Sequence, residues 1–212
     1  MKKVAMVISA GLLLIFLVYQ GSMAFFHAQT EVGTKISAGT LGIDVVEEST
    51  DRWARKTNDG FEFDKVMPGS KIDSSAYIEN VEDMTVYVRV TATKYWTDEN
   101  GEKLPDADAS LITMNYSNTD DWIAIDDSEN SNNEIMYFYY KKPLSPNEKT
   151  SDVIDGLTID SGLSDQTYGD YKIYLSLDAE AVQTTDGIDA AMSEWGMTIE
   201  TDENGNITSV ID

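Results

Sequence analysis

Two long stretches of the chain alternate apolar and polar residues with a period of two. In "GDYKIYLSLDAEAV" (169–182), Tyr171, Ile173, Leu175, Leu177, Ala179 and Ala181 alternate with Lys172, Tyr174, Ser176, Asp178 and Glu180. Successive side chains of a strand point to opposite faces, so this spacing predicts a strand with one buried and one wet face. "MTVYVRVTATKYW" (84–96) repeats the pattern, with Val86, Val88, Val90 and Ala92 inward and Tyr87, Arg89, Thr91 and Thr93 outward. "EIMYFYYKK" (134–142) is apolar on both faces, which predicts a strand in the middle of a sheet or beneath a neighbouring segment. "LGIDVV", "KIDSSAYIE" and "VIDGLTI" predict shorter strands. Pro68-Gly69, Asn100-Gly101, Pro143 with Pro146, and Asn204-Gly205 punctuate them. Asn-Gly supplies the positive φ angles that a tight hairpin requires.

Helical spacing is clear in one place. Ile188, Met192 and Trp195 fall on one face behind a capping Asp186, predicting a short helix over 186–195 that ends at Gly196. The remainder, 197–211, reads as a terminal hairpin around Asn204-Gly205. The acidic stretch 98–130, with Lys103 its only base, reads as a long loop holding a short strand near 111–116. Many short strands with one helix predict a mostly-β chain, a sandwich of jelly-roll or immunoglobulin-like kind, as a single domain over 41–212.

The first 24 residues follow another pattern. Lys2 and Lys3 precede an apolar run, Val4–Tyr19, and small residues stand at Ser22 and Ala24. This is the layout of a signal peptide, with cleavage expected between Ala24 and Phe25. A retained membrane helix is the alternative, but an unbroken span needs roughly 20 apolar residues and this run is shorter. Segment 25–40 then forms an apolar N-terminal strand segment ahead of the domain. The expected mature protein is secreted and not membrane-spanning.

Charge narrows the partners. The chain has 38 acidic and 15 basic residues, a formal charge of −23, and the signal segment carries two of the bases and none of the acids. Such a chain repels nucleic acid and anionic lipid. Hydrophobic residues at 42% argue for a packed core in spite of that charge. There are no cysteines, which excludes disulfides, thiolate metal sites and a cysteine nucleophile.

Catalytic chemistry finds little to work with. His27 is the sole histidine, and a catalytic zinc site ordinarily takes two or three. Ser-His-Asp arrangements and G-x-S-x-G are missing, and among so many acids a pair at glycosidase spacing carries no information. "TDENGE" (97–102) and "TDENGN" (201–206) hint at calcium loops but read better as hairpin tips, which leaves only a weak calcium site open and no other cofactor expected. Tyr87, Tyr95 and Tyr174 fall on outward positions, where they form either a sugar-binding face or ordinary cross-strand pairs, the latter preferred.

The order of several short motifs resembles the TasA/camelysin family of exported Gram-positive proteins. The motifs are "AFFHAQTEVGTKISAGTLGIDV" with its element Ile36–Ile43, "VMPGS" (66–70), "YIEN" (77–80) and "AEAVQ" (179–183) followed by Trp195. Val81-Glu82-Asp83, where family members often have a Thr-Gly turn, and the hairpin after Gly196 depart from the pattern. The resemblance implies a jelly-roll sandwich, processing by a dedicated signal peptidase, and a structural role in the extracellular biofilm matrix. It also implies a homopolymer, or a fibre shared with a related subunit, in which one copy's N-terminal strand completes a neighbour's sheet. Phe25, Phe26, Val32 and Ile36 are the expected assembly residues, with self-packing of 25–34 the competing expectation. Leu41, Ile43 and Val45 are expected in the domain's own first strand. Camelysin-type members carry a metalloendopeptidase label, for which this chain offers no ligand set. A monomeric surface adhesin or accessory fibre subunit is the third reading.

Overall fold

A computed structural model describes residues 27–28, 42–127, 131–163 and 165–211 of the chain. Ala24, Phe25, Phe26, Val32, Ile36 and Leu41 lie outside the described residues, and so does the signal segment.

The larger layer is a sheet built around the two strands with the cleanest alternation. These are β7 (Val86–Thr97) and β12 (Lys172–Gln183), paired antiparallel along their whole lengths. β10 (Ile135–Tyr140) pairs with the other side of β7, and β9 (Trp122–Asp126) pairs with β10. Beyond β12 come β4 (Phe61–Phe63) and then β3 (Ala54–Lys56), while β1 (His27–Ala28) pairs with β12 farther along. β10 thus lies between two strands, and both of its faces are apolar because each is covered, one by the core that holds Phe138 and Tyr140 and the other by a smaller core that holds Tyr139. Phe138 is buried on one face and Tyr139 on the other.

The second layer joins β2 (Ile43–Glu48) to β6 (Ser75–Asn80), and joins β5 (Lys71–Ile72), β11 (Gly156–Ile159) and β8 (Ile112–Asn115) to one another. Bridges Ala76↔Ile154 and Glu79↔Lys149 link β6 to the segment that runs into β11. Between the layers lies a continuous core that includes Trp96, Phe63, Ile78, Phe138, Ile154, Leu157, Ile173 and Leu175. The molecule is a mostly-β sandwich, as the alternation predicts. Ile43 and Val45 sit in the protein's own strand β2, as expected.

The C-terminal part covers the outer face of the larger sheet. It consists of α2 (Gly187–Trp195) and the hairpin β13 (Thr198–Thr201) with β14 (Ile207–Ile211). Tyr87, Tyr139, Val182, Ala191, Trp195, Ile199 and Ile207 form a second, smaller core beneath it. A one-turn helix α1 (Asp165–Tyr168) precedes β12. Among the described residues no helix is long and apolar enough to cross a membrane.

Three expectations need correction. Asp186 does not cap α2 with its side chain; it takes a left-handed backbone, φ 54°. The buried face of α2 is Gly187, Ala191 and Trp195, whereas Ile188 and Met192 are about half exposed. Gly187 decides this, because a Cβ there would stand 2.6 Å from the Tyr87 ring; the small residues let the helix lie close to the sheet. Third, the acidic stretch 98–130 holds two strands, β8 and β9, instead of one.

Candidate functional site at the free edge of β12

A strand has two hydrogen-bonding sides, and β7 takes one side of β12 at every residue from Lys172 to Gln183. Any further partner must use the other side. β4 does so only at Ile173, Tyr174 and Leu175. The β3–β4 hairpin turns there, with the Thr57 N–H donating to the Gly60 carbonyl at 2.9 Å. Gly60 approaches so closely that a Cβ would stand 2.1 Å from the Leu175 carbonyl oxygen. Residues 176–183 therefore extend beyond β4. Along that stretch β1 pairs antiparallel, His27 opposite Glu180 and Ala28 opposite Ala179.

The two faces of this edge differ. On the inner face Leu177, Ala179 and Ala181 lie across from Ala92, Val90 and Val88 of β7, a floor of mostly small side chains. β2 packs beside β12 and adds Ile43 and Val45 to the same core. The next residue on that face of β2 is Glu47, whose Oε1 is buried and meets no hydrogen-bond partner. Burial pushes the Glu47 carboxyl up to about 7; Asp178 and Asp59 push the same way and Lys56 opposes them. A charged group lacking a partner in such a place carries a desolvation cost.

On the outer face Glu180 is ion-paired with Arg89, which donates from Nε at 2.6 Å. Arg89 also donates to the Trp195 carbonyl at 3.1 Å and lies over the Tyr137 and Trp195 rings. This ties the β12 edge to the end of α2. Burial, then the charge of Glu180, push the Glu194 carboxyl up.

The other candidates separate. Tyr95 and Tyr174 are register partners with rings stacked at 4.8 Å, whereas Tyr87 sits under the hairpin and donates to the Gly205 carbonyl at 2.8 Å. They form a cross-strand pair and a buried anchor, not a shared sugar face. "TDENGE" and "TDENGN" are both hairpin tips. Asp98 accepts from the Asn100 and Glu102 N–H groups, and Asp202 from those of Asn204 and Asn206, at 2.8 Å in each case. The Glu102 N–H foremost holds Asp98 below the usual carboxylate range, and the Asn206 side chain does so for Asp202. Both carboxylates are already engaged within their own turns. Among the described residues no group of three or more His, Asp or Glu is arranged to hold a metal ion.

Sequence reasoning passed over Glu47 and the Arg89–Glu180 pair. The signal for Glu47 was present: "IDVVEE" alternates Ile43, Val45, Glu47, which puts a carboxylate where the pattern demands an apolar side chain. No protein-family model, curated protein or solved structure matches the chain.

Proposed function

We propose that this is an exported structural protein of the extracellular matrix that polymerises by strand donation. In this reading the N-terminal segment of one copy pairs with the β12 edge of the next. One observation carries the reading: β1 lies in register on the stretch of β12 that β4 leaves uncovered. An uncovered edge offers unpaired N–H and C=O groups, and an extended segment that takes them gains main-chain bonds together with pockets for alternate side chains. The same bonds form whether the segment comes from its own chain or from a neighbour, and exchange of an identical element is a low-cost route to assembly. The linker permits both arrangements. Residues 29–41 can span roughly 45 Å when extended. The order of motifs shared with the TasA/camelysin family supports the same reading, and cleavage after Ala24 by a signal peptidase would free the donor's end.

The test is the chain beginning at Phe25, imaged by negative-stain electron microscopy over a range of concentrations and pH values. Regular thin filaments are expected, and deletion of 25–34 should leave folded monomers without filaments. Unchanged filaments in the deletion variant would overturn the assignment of the donor strand.

A further inference from the structure

We propose that a cavity bounded by β7, β8, β9 and β10 binds a small free α-amino acid with an apolar side chain, its carboxylate on Lys94 and its ammonium on Asp126. The cavity shares no residue with the β12 edge, so binding there stands apart from strand donation.

The period of two along β7 puts residue 94 on the inward face, in line with Val86, Val88, Val90 and Ala92. A lysine stands there instead of an apolar residue, and it is only 6% exposed. Its ammonium donates to the Ala109 carbonyl at 2.7 Å and to the Asn133 carbonyl. An ammonium has three N–H donors, so these two bonds leave one. They also leave the charge itself without a counter-ion, since among the described residues Lys94 joins no ion pair. Buried charges are ordinarily paired, because desolvation is costly. Burial pushes the Lys94 ammonium down to about 8, while Asp126, Glu134 and Asp108 oppose that shift through their charge. Two of these carboxylates are engaged elsewhere. Glu134 pairs with Lys103 at 2.6 Å, and Asp108 accepts from the Ser110 N–H at 2.9 Å and from its hydroxyl at 2.6 Å.

The third, Asp126, is an exposed residue of β9 that lines the same cavity as Lys94. The cavity measures about 150 Å³, and Ile112 and Met114 of β8 with Ile135 and Met136 of β10 give it apolar surface. A simple carboxylate entering it would meet Asp126 as well as Lys94, and a simple amine would meet Lys94 as well as Asp126. A zwitterion sets each of its charges against the opposite one, and the apolar lining takes its side chain. An apolar cavity of roughly 150 Å³ holds benzene. Alanine has as many non-hydrogen atoms as benzene and valine is slightly larger, whereas phenylalanine is far too bulky.

The experiment is a saturation-transfer NMR titration of the chain from Phe25 at pH 6.5, where Lys94 is charged. The probes are L-alanine, L-valine, L-phenylalanine, propionate and ethylamine. Alanine and valine should saturate, and bind about tenfold or more tightly than propionate or ethylamine, each of which lacks one charge-assisted contact. Phenylalanine should give no saturable signal. Asp126→Asn, a change at an exposed side chain, should weaken alanine about tenfold, to the level of propionate. Lys94→Met should abolish binding of alanine and propionate alike; should that variant fail to fold, Asp126→Asn decides alone. The proposal is overturned by the absence of saturable signals from both alanine and valine, by propionate or phenylalanine binding as tightly as alanine, or by equal alanine affinity in the parent and Asp126→Asn.

Discussion

β7 meets β12 along twelve residue pairs, whereas the opposite side of β12 is divided between β4, at three residues, and β1, at two. The sequence of β12 is the same on both sides, since the hydrogen-bonding groups belong to the backbone. The difference therefore lies in the neighbours. β7 is a single uninterrupted strand of matching length, whereas β4 is cut short by the turn that ends at Gly60. A strand paired along its whole length on one side acts as a firm template, and in the proposed assembly its other side takes a partner that can be exchanged. On that proposal, permanent and exchangeable pairing coexist on one strand because they use opposite sides of it.

Four substitutions or deletions break or sharpen that contrast. The largest effect is expected on the residues the whole sandwich shares. Leu175 is fully buried, and Leu175→Ala should lower unfolding free energy by about 2–5 kcal/mol in urea denaturation. Next, Gly60→Ala should cost about 3 kcal/mol, because its methyl group meets the Leu175 carbonyl, a backbone atom that cannot swing aside. A normal melting profile for that variant would show that β4 does not hold its place on β12.

Glu47→Gln is expected to act by pH. The Glu47 carboxyl is raised from 4.5 to about 7, so the contribution of this group to stability is greatest below 4.5 and is lost as pH rises through about 7. Glutamine does not titrate. The variant should match the wild type near pH 4.5 and exceed it by about 2–3 kcal/mol at pH 8, measured by denaturant melts at the two pH values. A constant difference between the two would remove the buried charge as its cause. Smallest of all, deletion of 25–34 should change the monomer's unfolding free energy by less than about 1 kcal/mol, since two backbone pairs at an edge are near the marginal worth of such bonds. A loss of several kcal/mol would make the N-terminal segment a structural strand of its own domain.

Much of the frame was legible from the sequence because it obeys a local rule. The period of two in 172–183 and 86–97 is a property of consecutive residues, and both strands formed where that pattern lies. The Asn-Gly tips likewise follow from the backbone freedom of glycine, with φ 87° at Gly101 and 80° at Gly205. Other features answer to distant neighbours. β3 and β4 are three residues each, too short to show a period, and Arg55 at the first faces Glu62 across the pair. α2 turned its small residues inward because Tyr87, a hundred residues upstream, fills the space a Cβ would need at Gly187. Lys94 stands at an inward position of β7, where its ammonium donates to the Ala109 and Asn133 carbonyls and burial pushes its pKa down to about 8. The edge itself could not be read from the chain, because an edge is defined by where a neighbouring strand stops.

The position of β12 in the chain has a consequence for timing. Its partners β1, β4 and β7 all precede it, and His27 must wait for Glu180, 153 residues later, before the two can meet. As the polypeptide emerges from N-terminus to C-terminus, the acceptor slot is among the last parts of the larger sheet to come into existence. Pairings over such sequence distances form slowly, since a long loop must close before any contact rewards it. On the strand-donation proposal, a half-emerged chain thus has a donor but nothing to receive it. Were copies linked by strand donation as proposed, the order in which the strands are laid down would keep incomplete copies from linking prematurely.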